Sequence, residues 1–178
     1  MEKVEKQKAV FFDRDGIVNY RQVGIYINNS EDFRFCPDFF ACFKVVKLKG
    51  YLAILITNQK GVGKGLMSVS ELHKVHDFMQ TEIKNNTGFL FDDIYYSVAP
   101  EFTDDSDLKP NPDMLFNAAT KHNIDLNNSY MVGDRKSDII AGQKAGTKTI
   151  FIGRLPENEI IDSDYKFLNL YNCIELFD

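Results

Sequence analysis

The stretch AVFFDRDGIVN, residues 9–19, determines how this chain is organised. Its first four residues are apolar and rich in Val and Phe, a run too short for an ordinary helix and typical of a buried strand. Asp13 and Asp15 follow directly, and Gly16 then allows the backbone to turn back tightly. We therefore predict a strand that delivers two carboxylates to one small volume. The alternative is an ordinary polar turn, because Asp and Gly are also common turn residues.

The same pattern of a buried strand followed by polar residues recurs along the chain. Residues 51–56 form a continuous apolar run that ends at Thr57, and residues 129–132 are followed by Gly133 and Asp134. Further strands are predicted at 94–98 and 148–152. A proline-stiffened loop after the first of these two carries Lys109, so the backbone position of this lysine is defined.

Strands that alternate with helices of crossover length predict an α/β fold. Helices are expected after Pro37, from the capping box at Ser68 and Glu71, at 113–122, and before Gly146. The expected architecture is a three-layer, doubly wound parallel sheet of the Rossmann-like kind, with no large cap domain. It would form one domain over residues 1–178 with a core at about 9–153, and an apolar patch in the tail would pack on its flank.

In a doubly wound sheet the carboxyl ends of the strands lie along one edge, and ligands bind where the strand order reverses. Polar groups that are distant in sequence can therefore meet there. The residues expected to meet at this edge are Asp13, Asp15, Thr57, Lys109 and Asp134. Independent turns would not explain why polar groups recur at the same end of each strand.

Composition narrows the classes of function. The chain has 178 residues, 44% of them hydrophobic, and a formal net charge of −5. An acidic balance without a Lys/Arg-dense run argues against a nucleic-acid partner. No stretch approaches the roughly 18 apolar residues of a membrane span, the first eight residues lack the apolar region of a signal peptide, and the three cysteines form no C-x-x-C pair. We expect a cytoplasmic monomer that acts on a small molecule.

The side chains at the shared edge suit a metal ion and a phosphate. Carboxylates such as those of Asp13 and Asp134 can hold a hard divalent cation, and lysine and hydroxyl groups suit phosphate oxygens. Mg²⁺ prefers oxygen ligands, whereas zinc favours Cys or His, so Mg²⁺ is the expected ion. His73 and His76, on a predicted helix, have no acidic or Cys partner at ligand spacing, and we interpret them as surface histidines.

Four segments, in chain order, resemble the motifs of the haloacid dehalogenase (HAD) superfamily of phosphohydrolases, and the resemblance covers about residues 9–153. These segments are Asp13-Arg14-Asp15-Gly16 with Asn19, Thr57 after a hydrophobic strand, Lys109-Pro110, and Gly133-Asp134 followed by Asp138. In detail they are most similar to the branch of heptose bisphosphate phosphatases and histidinol-phosphate phosphatases. The details that carry this similarity are Thr57-Asn58-Gln59 leading into Gly61, Lys109-Pro110-Asn111-Pro112, and Tyr130-Met131-Val132-Gly133-Asp134-Arg135.

The resemblance implies hydrolysis through an aspartyl-phosphate. Asp13 is the expected nucleophile, and Asp15 is the expected general acid and base. The magnesium ligands that the resemblance implies are Asp13, Asp134 and Asp15, the last through its backbone carbonyl. The groups it implies for binding phosphate or substrate are Thr57, Asn58, Gln59, Lys109 and Asn19.

Three further side chains have two interpretations each. Lys64 and Arg135 either contact a second phosphate or a sugar hydroxyl, or are solvated surface charges. Asp138 either supports the metal site from behind or simply begins a helix, where an acid is favourable.

Two departures from this branch affect the expectations. Members of the branch often hold a zinc ion through Cys and His in the loop before the lysine, and residues 99–108 contain neither, so no zinc is expected. The heptose enzymes also tend to carry arginine before that lysine, where this chain has Leu108.

The favoured substrate is D-glycero-D-manno-heptose 1,7-bisphosphate. Histidinol phosphate is an alternative, for which an acidic loop could attract the substrate's cationic amine. The acidic residues of this loop are Glu101, Asp104, Asp105 and Asp107. A phospho-acceptor signalling domain is an alternative from another class, but Asp15 argues against it because an acid beside the nucleophile would speed loss of the phosphoryl group.

Overall fold

The structure, a computed structural model, describes residues 5–21, 24–100, 107–154 and 160–177. Six parallel strands form one sheet in the order β3-β2-β1-β4-β5-β6. Strands β1 to β3 extend toward one edge, and β4 then returns to the other side of β1, so the strand order reverses between β1 and β4. The strands are β1 (Ala9–Phe12), β2 (Leu52–Asn58), β3 (Asp93–Ser97), β4 (Tyr130–Gly133), β5 (Lys148–Ile152) and β6 (Tyr165–Phe167).

Helices connect the strands and cover both faces of the sheet, which confirms the predicted three-layer fold without a large cap domain. The predicted capping box at the start of α3 is present, because the Ser68 hydroxyl accepts from the Glu71 amide and the Glu71 carboxylate accepts from the Ser68 amide. The helices are α1 (Phe39–Leu48), α2 (Lys60–Gly63), α3 (Val69–Thr87), α4 (Asp113–His122) and α5 (Lys136–Ala145), with 3₁₀ turns at Leu126–Asn128 and Leu170–Phe177. No helix within the described ranges has both the length and the apolar character needed to cross a lipid bilayer.

Strand β1 lies at the centre of the sheet and is buried on both faces. Val10 and Phe12 point into a core formed with α1 and α3, whereas Ala9 and Phe11 point into a second core formed with α4 and α5. The Phe12 ring packs against three other phenylalanine rings in the first core, those of Phe39, Phe43 and Phe91. This packing gives Asp13, the next residue, a rigid base.

The C-terminal tail contributes more than the predicted flank packing. Tyr165–Phe167 adds a sixth strand beside β5, which the sequence analysis did not predict because three residues carry too little pattern. The 3₁₀ segment that follows packs against α1, and there the Asp38 carboxylate accepts from the amide of Leu170 at 2.6 Å. Part of the predicted apolar patch does lie inside, since Leu170 is buried, but Leu168 is exposed.

Candidate active site

Four strand ends bring charged groups together at the point where the strand order reverses. The Lys109 Nζ atom lies 2.9 Å from Asp13 Oδ1 and 2.7 Å from Asp138 Oδ1, and it also donates to the carbonyl oxygen of Ile56 at 2.8 Å. Asp13 and Lys109 are 96 positions apart in the chain. The structure therefore assembles at one edge of the sheet the groups that the sequence analysis expected to meet there.

The position of Lys109 is fixed by its backbone as well as by its side chain. The Asn58 side chain donates to the carbonyl oxygen of Lys109 and accepts from its amide, both at 3.0 Å. Asn58 ends β2, so the second strand holds the loop that carries the lysine. The Asn58 side chain is thus bonded to the Lys109 backbone. The backbone amide of Asn58 is therefore the group to which we assign the predicted role of binding phosphate.

Burial and neighbouring charges change the acidity of the Asp13 carboxyl. Burial raises its pKa to about 6, and the nearby Asp138 and Asp15 add to this, while Lys109 acts in the opposite direction. For Lys109, burial alone would lower the pKa, but the two carboxylates outweigh it and the pKa is raised. The ammonium group is therefore charged at neutral pH.

Asp15 lies beside Asp13 but is held differently. The Arg14 guanidinium, which is itself buried, donates to both of its oxygens at 3.1 Å, and Asn19 Nδ2 and Gln59 Nε2 donate to it at 3.0 Å. Burial alone would raise the pKa of Asp15, but these donors, led by Arg14, lower it below its usual value. The side chain remains 27% exposed. The buried donors thus fix the orientation of the Asp15 carboxylate, which remains partly accessible to solvent.

Two glycines make room for two further acids. Gly16 has a φ of 103°, and a Cβ there would lie 2.1 Å from Asp134 Oδ2. A Cβ on Gly133 would lie 2.2 Å from Asp138 Cβ. Any side chain at Gly16 or Gly133 would therefore displace a carboxylate. Both glycines allow close packing, and Gly16 also allows the tight turn.

These carboxylates form an arrangement that suits a hard cation. One oxygen each of Asp13, Asp134 and Asp138 lies within 4.8 Å of the others. Burial raises the pKa of Asp134 to about 8, with Asp13 contributing and Arg21 opposing. Both oxygens of Asp138 are engaged, with Lys109 Nζ and with the amide of Arg135 at 3.0 Å, so Asp138 supports the cluster from behind and begins α5.

Besides Lys109, a second cation, the guanidinium of Arg21, contacts this cluster. Its Nη2 atom lies 2.6 Å from Asp134 Oδ1, 2.5 Å from the carbonyl oxygen of Asp15 and 3.7 Å from Asp13 Oδ2. These are the same three residues that the resemblance implied as magnesium ligands, with Asp15 again contributing its carbonyl. A positive charge is thus accommodated among oxygen donors only, which is the donor set that Mg²⁺ prefers.

The site opens into a cleft of about 750 Å³. Asp13 and Asp15 lie in its wall, and the segment from Gly24 to Ile27 lines it as well. The cationic residues that line it are Arg14, Arg21, Lys60, Lys109, Arg135 and Lys136. Positive charge therefore surrounds a site whose base is acidic.

The remaining predicted site residues differ in their placement. Arg135 lines the cleft, but Lys64 does not, and its Nζ lies 5.9 Å from the centre of the Tyr26 ring. Asn19 is fully buried and contacts the site through its hydrogen bond to Asp15. Thr57 is buried beneath the cleft, where its hydroxyl accepts from Gln59 Nε2 at 2.9 Å.

Most of the acidic loop that could attract a cationic amine lies outside the described residues. Residues 101–106, which include Glu101, Asp104 and Asp105, are not described.

Two residues of this region were not recognised from the sequence. Arg21 is a single arginine in an irregular segment, and no periodicity or spacing distinguishes it from a surface residue. His76 was interpreted as a surface histidine, and this was wrong, because it is buried with its Nε2 atom 3.4 Å from Arg14 Nη1. Only its place on the inward face of α3, one position after the apolar Val75, could have indicated this. His73 interacts with the Tyr96 hydroxyl at 2.6 Å.

The buried His76 predicts a pH-dependent stability. Burial, together with Arg14, lowers its pKa to about 3 from an ordinary value of 6.5. Between these values the unfolded chain binds a proton that the folded protein does not bind, so this group costs stability as the pH falls through the window. We expect His76→Gln to remove this contribution. Between pH 6.5 and 4.5 the unfolding free energy of the variant should therefore fall less steeply than that of the wild type, by up to about 1.4 kcal/mol per pH unit.

Urea unfolding at a series of pH values measures this effect. Met79→Leu, a buried non-titrating change on the same helix, is the control and should alter stability equally at every pH. Parallel pH curves for wild type and His76→Gln would contradict the prediction.

The fold and the site define a class of protein. A doubly wound sheet that carries a buried lysine-paired aspartate, a second acid two residues later and a carboxylate after β4 is the arrangement of a HAD-type phosphohydrolase. The HAD-hydrolase-like family model matches residues 108–154, which include Lys109 and Asp134. The chain is accordingly a phosphoric monoester hydrolase.

Relatives identify the family within this class. The chain is 31% identical to D-glycero-beta-D-manno-heptose-1,7-bisphosphate 7-phosphatase of Helicobacter pylori strain J99, over 98% of each chain. It is 32% identical to D-glycero-alpha-D-manno-heptose-1,7-bisphosphate 7-phosphatase of Campylobacter jejuni, over 97% of this chain and 96% of the relative. This chain belongs to the heptose-1,7-bisphosphate 7-phosphatase family.

A solved structure has the same fold. It is D,D-heptose 1,7-bisphosphate phosphatase from B. bronchiseptica, complexed with magnesium and phosphate. The two structures superpose with a TM-score of 0.84 at 23% identity, over 96% of this chain and 97% of the other.

Proposed function

We propose that this protein removes one phosphate from a D-glycero-D-manno-heptose 1,7-bisphosphate, with Mg²⁺ as its metal and an aspartyl-phosphate on Asp13 as intermediate. The observation that carries the proposal is the pairing of Asp13 with Lys109 at 2.9 Å, beside a partly exposed Asp15 and at the base of a cationic cleft. This arrangement supplies a nucleophile, a charge partner and a proton carrier within one small volume.

In the first step, an Asp13 carboxylate oxygen attacks phosphorus and the bond from phosphorus to the sugar oxygen breaks. Asp15 gives its proton to the leaving alkoxide. Without substrate the pKa of Asp15 is low, chiefly because of Arg14 acting against burial. A phosphate dianion that enters beside Asp15 raises this pKa, because like charge disfavours the ionised form, so protonation accompanies substrate binding.

In the second step, water attacks the phosphorus of the aspartyl-phosphate. Asp15, now ionised, takes the proton of that water, and the bond between phosphorus and the Asp13 oxygen breaks to restore the carboxylate. We assign to the Thr57 hydroxyl and the Asn58 amide the role of binding the phosphoryl oxygens, and to Lys109 the role of offsetting the charge on the nucleophile.

Asp13, Asp134 and the carbonyl of Asp15 would hold Mg²⁺. Bound there, the ion supplies positive charge that offsets the negative charge of the phosphoryl oxygens. The geometry supports this assignment, because one oxygen each of Asp13 and Asp134 belongs to a group of carboxylate oxygens that lie within 4.8 Å of one another.

A bisphosphate fits the cleft better than a substrate with a cationic amine. Lys60, Arg135 and Lys136 line the cleft in addition to the charges around Asp13, and they would attract a second phosphate and repel the amine of histidinol phosphate. The relatives include enzymes named for the alpha and for the beta anomer of the heptose, so both anomers are candidate substrates.

The second-phosphate contact predicts a selective effect on KM. We expect Arg135→Gln to raise KM for the heptose bisphosphate by about tenfold, since one charge-assisted hydrogen bond is lost. Release of phosphate from a heptose monophosphate, which has no second phosphate, should change little. Steady-state phosphate release measures both. Lys144→Gln, at the other end of α5, is the control. An equal effect on both substrates would contradict a contact with the second phosphate.

The function itself is tested by phosphate release from a substrate panel with Mg²⁺ or EDTA. The panel contains both anomers of heptose 1,7-bisphosphate, the heptose monophosphates and histidinol phosphate. We expect metal-dependent release of one phosphate from a bisphosphate. Preferred turnover of histidinol phosphate would overturn the substrate proposal. No turnover together with stable phosphorylation by a small phosphodonor would favour a signalling domain.

We also propose that the protein acts as a cytoplasmic monomer without a nucleic-acid or membrane partner. The free, buried thiols of Cys36, Cys42 and Cys173 support a reducing compartment. The net charge of −5 supports a small-molecule substrate over a nucleic acid.

A further inference from the structure

We propose that Arg21 is an internal counter-ion of the metal site: its guanidinium occupies the cation position in the metal-free protein and is displaced when a divalent cation binds. This inference rests on the proposed metal dependence. In this proposal, the Arg21 side chain holds the carboxylates in place when no metal ion is bound. It also competes with the metal ion for the same oxygen atoms.

The first support is the convergence of oxygens on a single nitrogen atom. Arg21 Nη2 contacts Asp134 Oδ1 at 2.6 Å and the Asp15 carbonyl at 2.5 Å, and it forms a longer ion pair with Asp13 Oδ2 at 3.7 Å. An ordinary arginine pair with a carboxylate uses two nitrogens against two oxygens of one residue. Here one nitrogen faces three residues from two strand ends, as a point charge would, so it and a metal ion cannot both occupy the position.

The second support is the charge of the site. Four carboxylates, those of Asp13, Asp15, Asp134 and Asp138, meet there, and apart from Arg21 the cations that contact them are Lys109 and Arg14 among the described residues. If cation binding holds all four carboxylates in their ionised form, the charges of Arg21, Lys109 and Arg14 together leave one negative charge unbalanced. Exchange of this guanidinium for a divalent ion would remove that excess. The exchange is therefore favourable in charge, whereas binding of both cations would leave an excess of positive charge.

The third support is that the guanidinium is held from one end only. Its Nε atom is buried and has no hydrogen-bond partner among the described residues. A buried donor without a partner is energetically unfavourable, so release of the side chain removes part of this penalty. The side chain is 22% exposed and lines the cleft, which gives it a path away from the carboxylates.

The proposal predicts two effects of opposite sign in Arg21→Gln. The metal-free variant should be less stable, because Asp13 and Asp134 lose their counter-ion. The same variant should bind Mg²⁺ and Mn²⁺ about tenfold more tightly, because no side chain competes, and the metal-induced rise in Tm should be larger than in wild type. A residue with a purely structural role, or one that helps to bind the metal, would lower both quantities. Arg21→Lys, which keeps the charge, should restore part of the competition.

Calorimetric titration of Mg²⁺ and electron paramagnetic titration of Mn²⁺ measure affinity without activity, and thermal unfolding with EDTA or metal measures stability. Arg34→Gln, an exposed arginine whose guanidinium donates to backbone oxygens of Glu31 and Phe33, is the matched control and should match wild type. A variant that folds only with added metal is the extreme form of the expected result.

Two outcomes would contradict the inference in different ways. If wild type binds metal and Arg21→Gln binds it with equal or lower affinity, the counter-ion role is wrong and the proposed function stands. If neither protein binds a divalent cation, both the counter-ion role and the metal-dependent function are overturned.

Discussion

Asp13→Asn should abolish phosphate release, with a loss of at least about 10⁴-fold in kcat. The amide has nearly the shape of the carboxylate, so the fold and the contact with Lys109 remain possible, but the amide cannot form the aspartyl-phosphate. The Asp15 carboxyl and the phosphate-binding groups are still present and leave only a small residual rate. We expect a large effect because, in the proposed mechanism, the reaction passes through one carboxylate oxygen of Asp13.

Phosphate release at saturating substrate with Mg²⁺ measures the loss, and acid quenching of the wild type should trap phosphate on Asp13. Asp77→Asn changes an exposed carboxylate on α3 and should retain full activity. The amide variant should be at least as stable as wild type without metal, because burial raises the pKa of Asp13 to about 6 and disfavours its charge. More than a few per cent of wild-type activity in a homogeneous preparation of Asp13→Asn would contradict a covalent mechanism.

Lys109→Met should reduce the unfolding free energy by about 3–5 kcal/mol, besides lowering activity by about 10²-fold or more. The lysine is the shared partner of two buried carboxylates, those of Asp13 and Asp138, at 2.9 Å and 2.7 Å. Methionine fills the space of the alkyl chain, so the loss measures mainly the unpaired charges.

Urea unfolding in EDTA measures this change in stability. Lys121→Met removes an exposed partner of Asp93 and should cost at most about 1 kcal/mol. The double variant Lys109→Met with Asp138→Asn should recover part of the loss, because one of the two unpaired acids is then neutral. Strictly additive effects of the two substitutions would show that Lys109 and Asp138 are not coupled.

Strand ends account for most of what the sequence predicted. Asp13, Thr57 and Asp134 each follow an apolar run, and the geometry of a doubly wound sheet places such ends together whatever the intervening segments are. Lys109 was predicted to join them, and Asp138 was predicted either to support the metal site or to begin a helix, but the ion pair between these two residues was not predicted. This pairing depends on the exact reach of a side chain from a loop, which a one-dimensional pattern does not encode.

The features that were missed depend on contacts between segments with no pattern of their own. Arg21 owes its position to a turn set by Gly16 and to acids from another strand. His76 is buried because α3 places it against Arg14, and a charged neighbour of this kind is invisible to hydrophobic periodicity. The strand β6 is too short to give a signal and forms because β5 offers a free edge.

The strand order also governs when a competent site can exist during folding. Each strand of the described sheet pairs in parallel, so no pairing in it is made by a local hairpin, and β1 pairs with a strand, β4, that follows much later in the chain. Long-range pairings of this kind close large loops and form slowly. A chain that has folded only through β3 can already unite Asp13 with the segment of Thr57, yet it lacks Asp134 and Asp138. We therefore expect phosphatase activity to appear only after β4 has paired with β1 and brought Asp134 to the site.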